Sequence, residues 1–259
     1  PTMYNQNCAF SKIECFLIFI LLNLSNKNCK KQITTLVIQN RWQQYDMKKN
    51  NLSNELKKEL NSIWNILTMA LQCYEYSSYL YSPRTESEQN FANKSFFVDF
   101  TRHIYWRNLI IELAKLTTDS NNQSFNIFKF LRKLKKNQYF GELGLDDNKI
   151  ENWEILLDKK EKTIVEIINL RNKIYSHTDR DKEQYSNSDL TFNEIKELLD
   201  LLKSIIKTVF SDLLDTHAEI RPLHSINDKF KILSILAKEK EERINKIVNG
   251  FIENSNIKK

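Results

Sequence analysis

The sequence predicts an all-α protein, an up-and-down bundle of four to six helices. Three observations carry that prediction. Only three glycines and three prolines occur in 259 residues, so little interrupts a helix. Apolar residues recur at spacings of three and four along most of the chain, the period of one helical face. Apart from Thr34 to Ile38, no run alternates apolar and polar residues as a half-buried strand does. Short polar stretches separate the helical patterns, which suits antiparallel neighbours in a bundle.

The first helix is expected from about Ser53 to Leu80, capped by Ser53 or Asn51. Leu56, Leu60, Ile63, Leu67, Ala70, Leu71 and Tyr74 form its apolar face, and Pro83 ends it. Ser82 to Asn90 reads as a polar loop. The second helix spans about Asn93 to Thr117, with Phe97, Phe100, Ile104, Leu109, Ile111, Leu113 and Leu116 inward. After a polar break at Asp119 to Gln123, Ser124 caps a short helix from Phe125 to Lys136. Gly141 and Gly144 mark the next turn. Asp146-Asp147-Asn148 then opens a fourth helix carrying Ile150, Trp153, Leu157, Ile164, Ile168 and Leu170. Thr191, with Glu194 three residues on, has the pattern of a capping box for a fifth helix reaching about Ala218. Pro222 bars its extension, and a charged amphipathic helix from about Asn227 to Asn249 closes the pattern.

Residues 1–46 read differently from the rest. Cys15 to Leu22 is an apolar run too short to span a bilayer. Its length suits the core of a secretion signal, but Lys12 is the only cation before it and no small-x-small cleavage site follows. Met47 reads as a natural start, with Lys48-Lys49-Asn50-Asn51 leading into the first helix. The expected division is therefore an upstream segment outside the fold (1–46), a helical bundle (47–220), and a C-terminal helix with a polar tail (221–259).

Net charge is +6 and the pI near 9.0, which favours a polyanionic partner such as nucleic acid. Cys8, Cys15 and Cys29 lie near the start and only Cys73 follows. That supports neither a disulfide framework nor zinc spacing, so a reducing cytoplasm is expected, with no metal and no membrane.

The chemistry concentrates in Arg171-Asn172-Lys173-Ile174-Tyr175-Ser176-His177, followed by Thr178-Asp179, where a long amphipathic pattern runs out. Arginine offers a permanent cation whose planar fork suits phosphate oxygens. Histidine can take and give a proton near neutrality. Six residues apart, the two do not share a face of an ideal helix. They converge if the helix distorts near Tyr175-Ser176, or if a symmetric partner supplies a second copy of the motif. The plain alternative is that both merely serve the helix end, where cations favour the dipole.

This string resembles the R-polar-x(3–5)-H signature of the HEPN superfamily, the small helical domains of toxin and antiphage ribonucleases. Leu170 to Asp179 is similar to the helix-end segment of its abortive-infection branch. Ala114 to Asp119, then Ser124 through Leu134, fit that branch as well, and the resemblance spans about Leu52 to Phe210. It implies an endoribonuclease that needs no cofactor, working by 2′-hydroxyl attack to leave a 2′,3′-cyclic phosphate. His177 would be the general base or acid, Arg171 the phosphate clamp, and Asn172 the group that orients either. Ser176 and Asp179 would support the motif. A tyrosine found two places after the histidine in some toxin members is replaced here by Asp179.

Glu112 and Asp119 are candidates to fix the fork of Arg171 by pairing with it. Lys173, Arg102 and Arg107 are candidate RNA contacts, and Arg132, Lys133, Lys135 and Lys136 a candidate phosphate-tracking patch. Solvated helix faces often look the same. The expected partners are RNA, a second copy completing the site, and a protein that restrains or activates the enzyme. The rival readings are a catalytically silent RNA- or protein-binding subunit and a purely structural adaptor.

Overall fold

A computed structural model describes residues 27–120, 122–172, 189–223 and 226–257. Among these residues there are eight α-helices and no strand, as the breaker-poor sequence requires. They are α1 (Lys27–Tyr81), α2 (Glu86–Lys94), α3 (Phe96–Thr117), α4 (Ile127–Leu134), α5 (Asp147–Asp158), α6 (Glu161–Leu170), α7 (Phe192–Leu214) and α8 (Ile226–Ile257). The chain divides into two units, 1–54 and 55–259.

In the first unit the described part is helical, and residues 42–51 are exposed. Trp42 and Tyr45 meet edge to face, with ring centroids 6.4 Å apart. α1 begins at Lys27, so neither Asn51 nor Ser53 is its cap, and Thr34 to Ile38 is helix rather than strand. No Gly or Pro lies between Lys27 and Tyr81, and a helix once formed propagates until something stops it.

The second unit is an antiparallel bundle of α1, α3, α5–α6 and α7. Its directions follow from the pairs that touch. Trp64 packs on Phe210 and Tyr74 on Phe192, so α7 runs back along α1. Lys149 bonds Asp212 and Lys160 bonds Glu197, so α5 ascends as α7 descends. α3 packs against α6, and α4 against α5. The predicted inner face of the first helix is correct: Leu56, Leu60, Ile63, Leu67 and Ala70 are all essentially buried. Ile150, Trp153, Leu157, Ile164 and Leu170 are buried likewise.

Several boundaries differ from the sequence reading. The expected polar loop contains α2, whose cap is Thr85; its hydroxyl accepts the Glu88 N–H. Glu88 is itself buried and accepts the Arg84 N–H at 3.0 Å. α2 then packs against α8. The cap of α4 is Asn126, not Ser124, its side chain accepting the Lys129 N–H at 2.7 Å. The fourth predicted helix breaks at Lys159–Lys160 into α5 and α6. Phe97 and Phe100, expected inward, are 71% and 56% exposed, because the buried face of α3 is that of Val98, Leu109, Leu113 and Leu116, and the two rings lie about 100–160° round the helix from it. The fifth helix stops at Leu214, where Asp215 adopts a left-handed conformation (φ 47°), and α8 extends to Ile257.

Two local devices are testable. Gly144 takes φ +84°, a conformation that glycine adopts without strain. At Gly141 a Cβ would lie 2.4 Å from the Lys135 carbonyl oxygen. Gly141→Ala should therefore cost about 1–3 kcal/mol, as overpacking does, read as a lowered urea midpoint. The Thr191–Glu194 capping box is present: the Thr191 hydroxyl accepts the Glu194 N–H, and the carboxylate accepts the Thr191 N–H at 2.9 Å. Thr191→Ala should cost about 1 kcal/mol. Hydrogen bonds from Thr191 hold the Glu194 carboxyl below its ordinary value. A depressed carboxyl stabilises above its unfolded pKa and loses that contribution as pH falls through the folded one. The penalty of Thr191→Ala, followed by urea melts across pH, should thus shrink in acid.

Candidate active site

α6 ends where the motif begins. Leu170 is its last residue, and Arg171 and Asn172 open a wider, π-type turn. The Arg171 N–H reaches the carbonyls of Ile167 and Ile168. Buried Ile164, Ile167 and Leu170 hold this helix in the bundle, so Arg171 emerges half-buried at the rim and Asn172 is exposed. The Arg171 guanidinium donates to the Asn172 side-chain oxygen at 2.9 Å. Wide turns of this type recur at functional sites because they re-aim side chains. Lys173, Ser176, His177 and Asp179 lie outside the described residues, and so does the distortion expected at Tyr175-Ser176.

The surroundings of Arg171 follow from chain direction. Lys162, Thr163 and Glu166 of α6 line a recess of about 150 Å³ with Asp189, Leu190 and Glu194. Arg171 lies five residues beyond Glu166, about 7.5 Å further along, and therefore past the start of α7. At that end Phe192 packs on Trp106 (5.0 Å between centroids), Tyr81 (5.7 Å) and Tyr74 (6.0 Å). Arg102 lies over the Tyr81 ring at 5.0 Å and is paired with Asp99 at 2.6 Å. His103 and Arg107 are on the exposed side of α3. The recess itself carries three carboxylates and one lysine, which does not suit a phosphate chain.

The expected pairing of Arg171 with Glu112 or Asp119 is not present. Asp119 instead takes both terminal nitrogens of Arg132, at 2.7 and 2.8 Å, and Glu112 binds Lys115 at 2.6 Å. The hydrogen bond from Arg132 holds the Asp119 carboxyl below its ordinary value. Lys133 is engaged by Glu59 at 2.7 Å and Lys135 by Glu154 at 2.8 Å, while the Lys136 backbone N–H bonds Asp147. Three cations of the expected phosphate-tracking patch thus tie α4 to its neighbours. These partners lie 13, 74 and 19 positions away in sequence, too far for local pattern to reveal. Cys73 is no nucleophile: burial, reinforced by Glu112, pushes its thiol up to about 11.

A helical bundle with an Arg-polar-x4-His string at the end of a late helix defines a protein of the HEPN class. The family profile HEPN_AbiU2, described as AbiU2, matches residues 53–230. The chain belongs to this family, in the abortive-infection branch of the HEPN superfamily. The match begins where the resemblance of the motif-bearing region began and runs past it into α8. No curated protein and no solved structure matches the chain. Among the described residues no helix is long and apolar enough to cross a membrane.

Proposed function

We propose that this defence-family protein is an endoribonuclease that cuts RNA without a metal cofactor, with Arg171, Asn172 and His177 as its working groups. One observation carries the reading beyond family membership. Arg102, Lys115, Arg132, Lys133, Lys135, Lys149 and Lys160 are all ion-paired. Arg171, at the rim, has no carboxylate within 4.0 Å among the described residues and is steadied by an uncharged amide. Among the described residues no other group takes its N–H donors, and a guanidinium fork suits phosphate oxygens, which arginine grips bidentately.

In the proposed step the ribose 2′-oxygen attacks the adjacent phosphorus as His177 takes its proton. The bond from phosphorus to the 5′-oxygen breaks, and that oxygen leaves with a proton supplied by His177 of a second copy or by water. The products are a 2′,3′-cyclic phosphate and a 5′-hydroxyl. Arg171 stabilises the charge that builds on the non-bridging oxygens, and Asn172 fixes the direction of its fork. Two copies meeting near the motif would supply a base and an acid on either side of the strand. The proposal includes a protein partner that restrains the cut and leaves Arg132, Lys133 and Lys135 as structural ties.

The test is incubation of the full chain with total RNA in the presence of EDTA, followed by chemical identification of the new ends. Cyclic-phosphate 3′ ends support the reading. Intact RNA that still binds at low salt, where phosphate contacts are strongest, supports the silent binding subunit. RNA that neither breaks nor binds leaves the adaptor reading.

A further inference from the structure

Three bundle helices bring an aromatic ring to the end where the motif begins, and α6 brings Arg171. Tyr81 closes α1, Trp106 comes from α3 and Phe192 opens α7. The three ring centroids lie 5.0 to 6.4 Å apart, edge-on or tilted to one another. Tyr74 and Tyr81, two turns apart on α1, both reach Phe192. Phe192 is therefore level with the turn between them, and Tyr81 stands about 5 Å above it. Arg171, beyond the turn of Glu166 that meets Leu190 at the recess, stands above the same level.

Side chains that close the core here are buried, as Tyr79 and Leu80 are at 6 and 9%. Tyr81 is 40% exposed, and Trp106 and Phe192 are half-buried. A planar cation already lies on this surface: the Arg102 guanidinium, 5.0 Å from the centre of the Tyr81 ring. Its partner Asp99 is 59% exposed, and a pair with so exposed a member holds it weakly.

We infer that this surface is a base-binding subsite: an unpaired base of an RNA strand stacks on Tyr81 where the guanidinium lies, purine before pyrimidine. A guanidinium and a base make the same demand on a ring, a flat π face reached from solvent. Arg102 swings off the ring as the base arrives, and its fork can then meet the phosphate of the stacked nucleotide. Proteins that hold single strands combine such faces with cations along the backbone. Both occur here, with Arg171 at the rim and Arg107 exposed on α3 beside Trp106. Charge sets the path of the strand. The recess carrying Glu166, Asp189 and Glu194 lies between α6 and α7 and repels phosphate, which turns a strand held at Arg171 toward the rings. A base within a duplex has both faces stacked and cannot reach Tyr81, so the subsite selects unpaired RNA. Purines lead because the preference follows stacking strength. The inference rests on the RNA reading above and adds what holds the base, apart from what holds the phosphate.

The test measures binding of short single-stranded oligomers, 2′-O-methylated so that 2′-oxygen attack is blocked, to the full chain at low salt. Oligoadenylate should bind several-fold more tightly than oligouridylate. Tyr81→Leu, which keeps apolar bulk and removes the ring, should weaken oligoadenylate about five- to 150-fold, the span of one lost stack. It should also erase the purine preference, whereas Tyr81→Phe should keep both. The slope of affinity against salt should be unchanged in Tyr81→Leu, because a stack neutralises no phosphate. In Arg171→Ala it should fall by about one counterion. Circular dichroism confirms helix content in each variant. Equal affinity of the native chain for the two oligomers overturns the inference, as does no binding of either. So does native affinity in Tyr81→Leu, a salt slope that falls in it, or a loss in Tyr81→Phe as large as in Tyr81→Leu. Cutting of unmodified RNA is scored separately. A Tyr81→Leu protein that binds like the native chain while RNA is cut defeats the subsite and leaves the ribonuclease reading standing. Binding that depends on Tyr81 without any cutting keeps the subsite and defeats the ribonuclease.

Discussion

Replacing His177 by alanine should abolish RNA cutting while the helical spectrum and melting temperature stay at native values. A positioned acid–base group contributes about a hundred- to ten-thousand-fold to a proton-transfer step, so cutting should fall to background in single-turnover assays. Arg171→Ala should lose about a hundred- to a thousand-fold, the range seen when one donor to a developing oxyanion is removed. Arg171→Ala should not unfold the protein, because Arg171 is half-buried at a helix end and among the described residues its side chain bonds only its neighbour Asn172. Arg171→Lys separates two accounts of the arginine. If charge alone matters, lysine restores most of the rate. If the bidentate fork matters, it does not. A His177→Ala protein that still cuts would remove histidine from the mechanism and direct attention to other groups at the same end of the bundle.

That outcome bears on how much of the site the sequence displays. The motif stands out in the sequence because residue type and spacing coincide within nine positions, and of it the structure describes Arg171 and Asn172. The capping box at Thr191 and the turn at Gly144 were legible for the same reason, since their physics spans three or four residues. The ion pairs were not. Arg132, Lys133 and Lys135 form a basic string in sequence, and only folding brings Asp119, Glu59 and Glu154 to them. A charge run cannot announce that it is spoken for from other helices.

Exposure was hidden for a related reason. The apolar residues of α3 fall on two faces of the helix, and the pattern alone does not say which face the bundle covers. Val98, Leu109, Leu113 and Leu116 share one face and are buried, whereas Phe97 and Phe100, on another face of the same helix, are not. Thr85 was missed as a cap because Ser82 and Pro83 mark a loop so strongly that the short helix after them vanished into it. The Lys159–Lys160 break carries neither glycine nor proline. Its cause is tertiary: α5 packs on α4 and α7, whereas α6 packs on α3, and one straight rod does not serve both.

Phe130→Ala should be the most damaging single change to the fold, costing about 3–5 kcal/mol by the measure of other buried phenylalanines. Phe130 is fully buried and among the largest side chains that are. It lies on α4, whose eight residues are too few for stable helix on their own. That helix stays folded because Ile127, Phe130, Leu131 and Leu134 are all buried and its cations are paired outward. Removing the ring leaves a cavity and releases the element best placed to fill it. The pairs cannot compensate: Arg132 and Asp119 are each about half exposed, and such surface pairs contribute about 0–1 kcal/mol. The measurement is a urea titration of Phe130→Ala beside Asp119→Ala, with a loss several times larger expected for the first. Equal losses would mean that the ion pairs, rather than the apolar face, hold α4 in place.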